Sequence, residues 1–103
     1  MKIFLLSALV ALGFASVLDG TKQSKIDLGY PLLTIQAKNG FIACAYIDTK
    51  TCDKTKEACA IVSGVKTHQD MLSRPLKAVS KKAFELGLRV GMSGEEALKL
   101  LKK

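Results

Sequence analysis

Residues 32–38 (LLTIQAK) alternate apolar with polar from Leu33 onward, residues 41–47 (FIACAYI) are apolar throughout, and the two runs flank Asn39-Gly40. That pattern predicts a β-hairpin, because an Asn-Gly pair is a favoured two-residue hairpin turn. Pairing outward from it puts Leu33, Ile35 and Ala37 on one face with Ile42, Cys44 and Tyr46. Leu32, Thr34, Gln36 and Lys38 share the other face with Phe41, Ala43, Ala45 and Ile47. Both faces carry apolar side chains, so both need cover. One is studded with alanines, which lets a helix or a second copy of the chain come close over Ala43 and Ala45.

Beyond the hairpin the period changes. Asp48 or Thr49 can cap a helix to about residue 56. Residues 58–65, with Ile61, Val62 and Val65, form an apolar run expected as a strand that ends at Gly64. A polar loop is expected over residues 66–74. Pro75 interrupts it, and a short strand follows over residues 76–79. Ser80 caps a helix over residues 81–86 that Gly87 stops. After an extended piece at 88–90, Ser93 with Glu96 makes a capping box ahead of Ala97, Leu98 and Leu101, the apolar stripe of a last helix. The expected fold class is therefore α+β: a small single domain, mostly antiparallel sheet with N-terminal β-hairpins and two or three short helices.

The start, residues 1–15, admits two readings. One lysine, an apolar run over residues 3–14 and small residues at Gly13 and Ala15 match a secretory signal peptide cleaved after Ala15. Alternatively, residues 9–18 are a first strand that turns at Asp19-Gly20 into a partner over residues 21–28. The run is too short for a stable membrane span, which needs about 20 apolar residues.

A chain of 103 residues, 49% hydrophobic, has room for one modest core. An apolar face left over after folding would be covered by another copy. The formal charge of +7 is concentrated late: residues 66–103 hold nine Lys or Arg against four acids. With six aromatics, no Trp and no basic run interleaved with rings, nucleic acid is not the expected partner, and the surplus reads as a solvated face. Cys44, Cys52 and Cys59 make an odd set without a CxxC pair, and His68 is the single histidine. No metal site is expected. The odd count argues against a disulfide framework and for a reducing compartment.

Three segments then carry a resemblance: Gly-Phe-x-x-Cys-x-Tyr at 40–46, Gly-Val-Lys-Thr at 64–67, and Val-Gly-Met-Ser-Gly with Glu-Ala-Leu at 90–98. Together they resemble the YunC-like family, domain of unknown function 1805, over about residues 17–101. The resemblance implies an α+β domain over residues 16–103 whose N-terminal β region mediates homotetramer formation, with no assigned activity and no cofactor. Ala45 departs from the glycine often found there. Family members look cytosolic, so a cytoplasmic location with an uncleaved start is favoured over export after cleavage near Ala15.

No catalytic signature is present. The loop Gly64, Lys66, Thr67, His68 and Asp70 is the ligand-binding candidate: glycine admits close backbone approach, and a cation, a hydroxyl and a carboxylate follow within one turn. It suits a small anionic ligand, although Gly-x4-Gly-Lys phosphate-loop spacing is missing. The bland alternative is that Thr67 and Asp70 only satisfy local amides. Cys44 is the thiol candidate, with His68 as its conceivable base. Against that, a mid-strand cysteine usually behaves as a small hydrophobe. The expected function is a homo-oligomeric binding or structural module; the alternative is an enzyme or metabolite-binding protein using this loop or Cys44.

Overall fold

The two hairpin runs fold into the centre of a five-stranded sheet in a computed structural model that describes residues 17–103. Strands β1 (Lys22–Ile26), β2 (Leu32–Ala37), β3 (Gly40–Cys44), β4 (Cys59–Val62) and β5 (Ala78–Val79) lie side by side in chain order. All neighbours are antiparallel except β3 and β4, which run parallel. Four helices accompany the sheet among the described residues and make the domain α+β: α1 (Thr49–Thr55), α2 (His68–Ser73), α3 (Lys81–Glu85) and α4 (Gly94–Lys102). The first strand expected over residues 9–18 falls largely outside the described residues. Its last two, Val17 and Leu18, belong instead to the turn that leads into β1.

The β2–β3 hairpin turns at Lys38-Asn39 rather than at Asn39-Gly40, since Ala37 pairs with Gly40 and Ile35 with Ile42. Tertiary contacts dictate the shift. The Asn39 amide donates to the Leu101 carbonyl at 3.0 Å and the Phe41 amide to the Ala58 carbonyl at 3.0 Å, so neighbouring elements claim the turn's backbone groups. A Cβ on Gly40 would overlap the Ala58 carbonyl oxygen, so this glycine serves close approach rather than a left-handed turn. The slip is two residues, which leaves every side chain on its expected face.

On the first face Leu33, Ile35, Ile42, Cys44, Ala60 and Val62 are buried under Met71 and Leu72 of α2 and Ala97, Leu98 and Leu101 of α4. Ser93 caps α4 through the Glu96 amide at 3.1 Å; acids occupy the first turn and lysines the last, each complementing the helix dipole. The second face is thinner: Ala43, Cys59 and Ile61 lie beneath Cys52, the one buried residue of α1. Asp48 caps α1 by accepting from the Lys50 amide, and Lys56 ends it at φ 61°. The chain then doubles back into β4, so Cys52 and Cys59, which no continuous helix could pair, form a disulfide with Cα atoms 6.3 Å apart. This corrects the expectation that the odd cysteine count argues against a disulfide framework: Cys44 is the odd one out, free and buried.

The polar stretch after Lys66 is also corrected. Thr67 accepts from the Asp70 amide at 3.0 Å and starts α2, whose Met71 and Leu72 enter the core. Thr67-x-x-Asp70 is thus a helix start with an apolar pair behind it.

Candidate functional site

The Gly64–Asp70 loop leaves β4 and folds down against β1, and most of its polar atoms are occupied in doing so. Thr67 is spent as the α2 cap. Asp70 Oδ2 accepts from the Lys66 amide at 3.0 Å, and His68 Nε2 lies 2.9 Å from the Ser24 carbonyl oxygen on β1. The Lys66 amide does most to hold the Asp70 carboxyl below its ordinary value; desolvation opposes it, and the Thr67 hydroxyl and amide and the Arg74 charge add smaller lowering contributions. Thr67 and Asp70 therefore do the local work of a capped turn, and His68 ties that turn to the sheet edge.

What the loop leaves available is Gly64 and the Lys66 side chain. Gly64, at φ 69°, takes the left-handed conformation that glycine adopts without strain, and it brings the loop beside the end of β3. There Gly64, Val65, Cys44, Ala45, Tyr46, Tyr30 and Pro31 line a mainly apolar cleft of about 250 Å3. A second hollow of about 390 Å3, bordered by Lys25, Asp27, Leu28, Gly29 and Lys66, shares the Tyr30-Pro31 wall. The Lys66 ammonium stands 5.9 Å from the centre of the Tyr30 ring, joining the two hollows with a cation. Both tyrosines of the chain are here, each more than half exposed, at 57% for Tyr30 and 52% for Tyr46.

Cys44 lines the cleft but is 5% exposed, and its Sγ accepts from the Leu33 amide at 3.4 Å. His68 is turned to β1 instead, so each partner of the conceivable Cys-His pair is engaged elsewhere. Among the proposed site residues the structure brings Cys44, Gly64 and Lys66 to one place and assigns Thr67, His68 and Asp70 to building it. Tyr30, Pro31, Tyr46 and Val65 were missed from the sequence. For the tyrosines a signal existed, since they are the only two in the chain, Tyr30 standing between two expected strands and Tyr46 next to the last residue of another.

Exposed apolar groups continue from the cleft along the sheet edge. All five residues of β1 are exposed, and its outer edge has no strand partner among the described residues. Ile26 is 55% exposed on the same face as its cross-strand partner Leu32, and Leu28 follows at 49%. Neither α1 nor α4 extends over this end of the sheet: Ile26, Leu28, Tyr30 and Tyr46 remain uncovered.

Comparison with known proteins adds family and fold. Residues 43–101, more than half of the chain, match the model of a domain of unknown function, DUF1805. The chain is 33% identical over 89 residues to the uncharacterized protein YunC of Bacillus subtilis (strain 168), covering 80% of this chain and 88% of that one. The crystal structure of a protein of unknown function, TA1206 from Thermoplasma acidophilum, superposes with a TM-score of 0.68 at 26% identity, over 79% of this chain and 92% of that chain.

Proposed function

Because the chain belongs to the DUF1805 family of YunC-like proteins, which share an α+β domain and no assigned chemistry, we propose that it acts as a self-associating binding module rather than through a catalytic centre of its own. The observation that carries this reading is the uncovered β1 edge with Ile26, Leu28 and Tyr30 exposed beside it. An unpaired strand edge offers a row of free amides and carbonyls to another strand, and contiguous apolar side chains favour burial against a partner. A second copy supplies both and makes a dimer, and a second, different contact between dimers would complete the homotetramer. Sedimentation of wild type and Ile26→Asp/Leu28→Asp across a concentration series tests it. The variant is expected to dissociate at concentrations where wild type stays assembled; equal behaviour overturns the proposal.

The cleft supports a ligand-binding side to the same module. Its tyrosine walls suit a small apolar body, and Lys66, facing a ring rather than a carboxylate, suits an anionic group at the rim. Benzoate, titrated calorimetrically against benzyl alcohol as the neutral control, tests this. Binding of benzoate that is lost in Lys66→Ala is the supporting result, and no heat from either probe removes the ligand reading.

Among the described residues no helix is long and apolar enough to cross a membrane. The cysteine argument for a cytoplasmic location falls with the Cys52–Cys59 bridge, which instead supports the exported alternative with cleavage near Ala15. Intact mass of protein from its native host decides: loss of residues 1–15 establishes export, and an intact start restores the cytoplasmic reading.

A further inference from the structure

Independently of the binding surface, we infer that the Cys52–Cys59 disulfide is a redox latch that holds α1 over the second face of the sheet. Three observations carry this. First, α1 has seven residues and only Cys52 among them is buried, so nothing else on the helix anchors it by burial. A helix this short has little stability of its own in water. Second, the buried cluster beneath it comprises Ala43, Cys52, Cys59 and Ile61, so half of its members are the bridge itself. Third, the two cysteines, both buried, differ in what surrounds them. Cys59 is fully buried on β4, whereas Cys52 borders a hollow of about 310 Å3 lined by Asp53, Lys56, Lys81, Lys82 and Glu85.

The remaining ties of α1 are polar. Asp53 Oδ1 accepts from the Lys81 amide at 2.8 Å, and the Glu57 amide donates to the Cys52 carbonyl at 2.9 Å. Bonds of this kind, exposed to water, do not replace a covalent anchor.

Opening requires a dithiol. Its thiolate attacks Cys52 Sγ from the lysine-lined hollow, and the sulfur–sulfur bond breaks with its electron pair on Cys59 Sγ, which takes a proton. The second thiol of the reductant then displaces Cys52, leaving the dithiol as its own disulfide and two protein thiols. Three lysines around the hollow draw the attacking thiolate towards Cys52. Released, α1 uncovers Ala43 and Ile61 on a face that no other described helix covers, while the first core under α2 and α4 is untouched.

Alkylation and hydrogen exchange on the full chain, purified without reductant and then treated with dithiothreitol, test the latch. Iodoacetamide in denaturant is expected to label Cys44 alone before reduction and all three cysteines after it. Native-state exchange at residues 49–55 is expected to accelerate by about tenfold or more on reduction, with β2 and β3 unchanged. Cys52→Ala should exchange rapidly at 49–55 with or without dithiothreitol. Labelling of Cys52 and Cys59 before reduction overturns the bridge. Unchanged exchange at 49–55, or loss of protection throughout the sheet, overturns the latch.

Discussion

Lys66 divides its groups between two tasks: the amide is fixed on Asp70 and the ammonium is left over the Tyr30 ring. The division explains why the Gly-Val-Lys-Thr segment could be picked out from sequence while its meaning could not. The [ST]-x-x-[DE] pattern of Thr67 and Asp70 was legible as capping chemistry, yet the six-residue helix behind it was hidden by its polar start. The tyrosines escaped because the cleft they wall joins residues far apart in the chain. Asp70 carries a pH prediction. Its folded carboxyl titrates below its ordinary 3.8, so its stabilising bond to the loop is complete above that value and is lost as pH falls through the folded pKa. Thermal melts of wild type and Asp70→Asn should differ at neutral pH and converge in acid below 3.8; a constant difference would assign the effect to packing. Gly40→Ala should cost about 2 kcal/mol in chemical denaturation, since its Cβ meets backbone at Ala58.

At the scale of elements, local patterning specified three of the four described helices, the strands and their faces, whereas α2, the register and the cross-link came from tertiary partners. The hairpin shows the boundary. Alternation placed Leu33, Ile35, Ile42 and Cys44 on one face, but α4 and β4 decided where the turn fell, through Leu101 and Ala58. The cysteine pair shows it too, because a separation of seven says nothing of a chain that reverses at Lys56. Closing so short a loop stabilises by about 2 to 3 kcal/mol in the chain-entropy account. Ser80 is a second joint between elements. Its buried hydroxyl accepts from the Cys59 amide at 3.0 Å and the Ala83 amide at 3.2 Å and donates to the Glu57 carbonyl at 2.8 Å. Ser80→Ala leaves these groups without their partner and should cost about 2 kcal/mol, read from the denaturation midpoint. A loss under half of that would mean water replaces the hydroxyl.

Among the described residues, α2 and α4 with Ala83 of α3 seal one face of the sheet, α1 seals part of the other, and the β1 end is left bare. The two-faced hairpin foretold that shortage of cover, and α1 and the Cys52–Cys59 bridge meet part of it. The remainder, at Ile26, Leu28 and Tyr30, is the ground for self-association. Basic groups of the C-terminal third lie apart from this apolar edge in sequence. The most direct test is the molar mass by light scattering of the eluting peak at micromolar concentration. The account predicts about four times the 11.1 kDa of the chain, and a single 11.1 kDa species would contradict it.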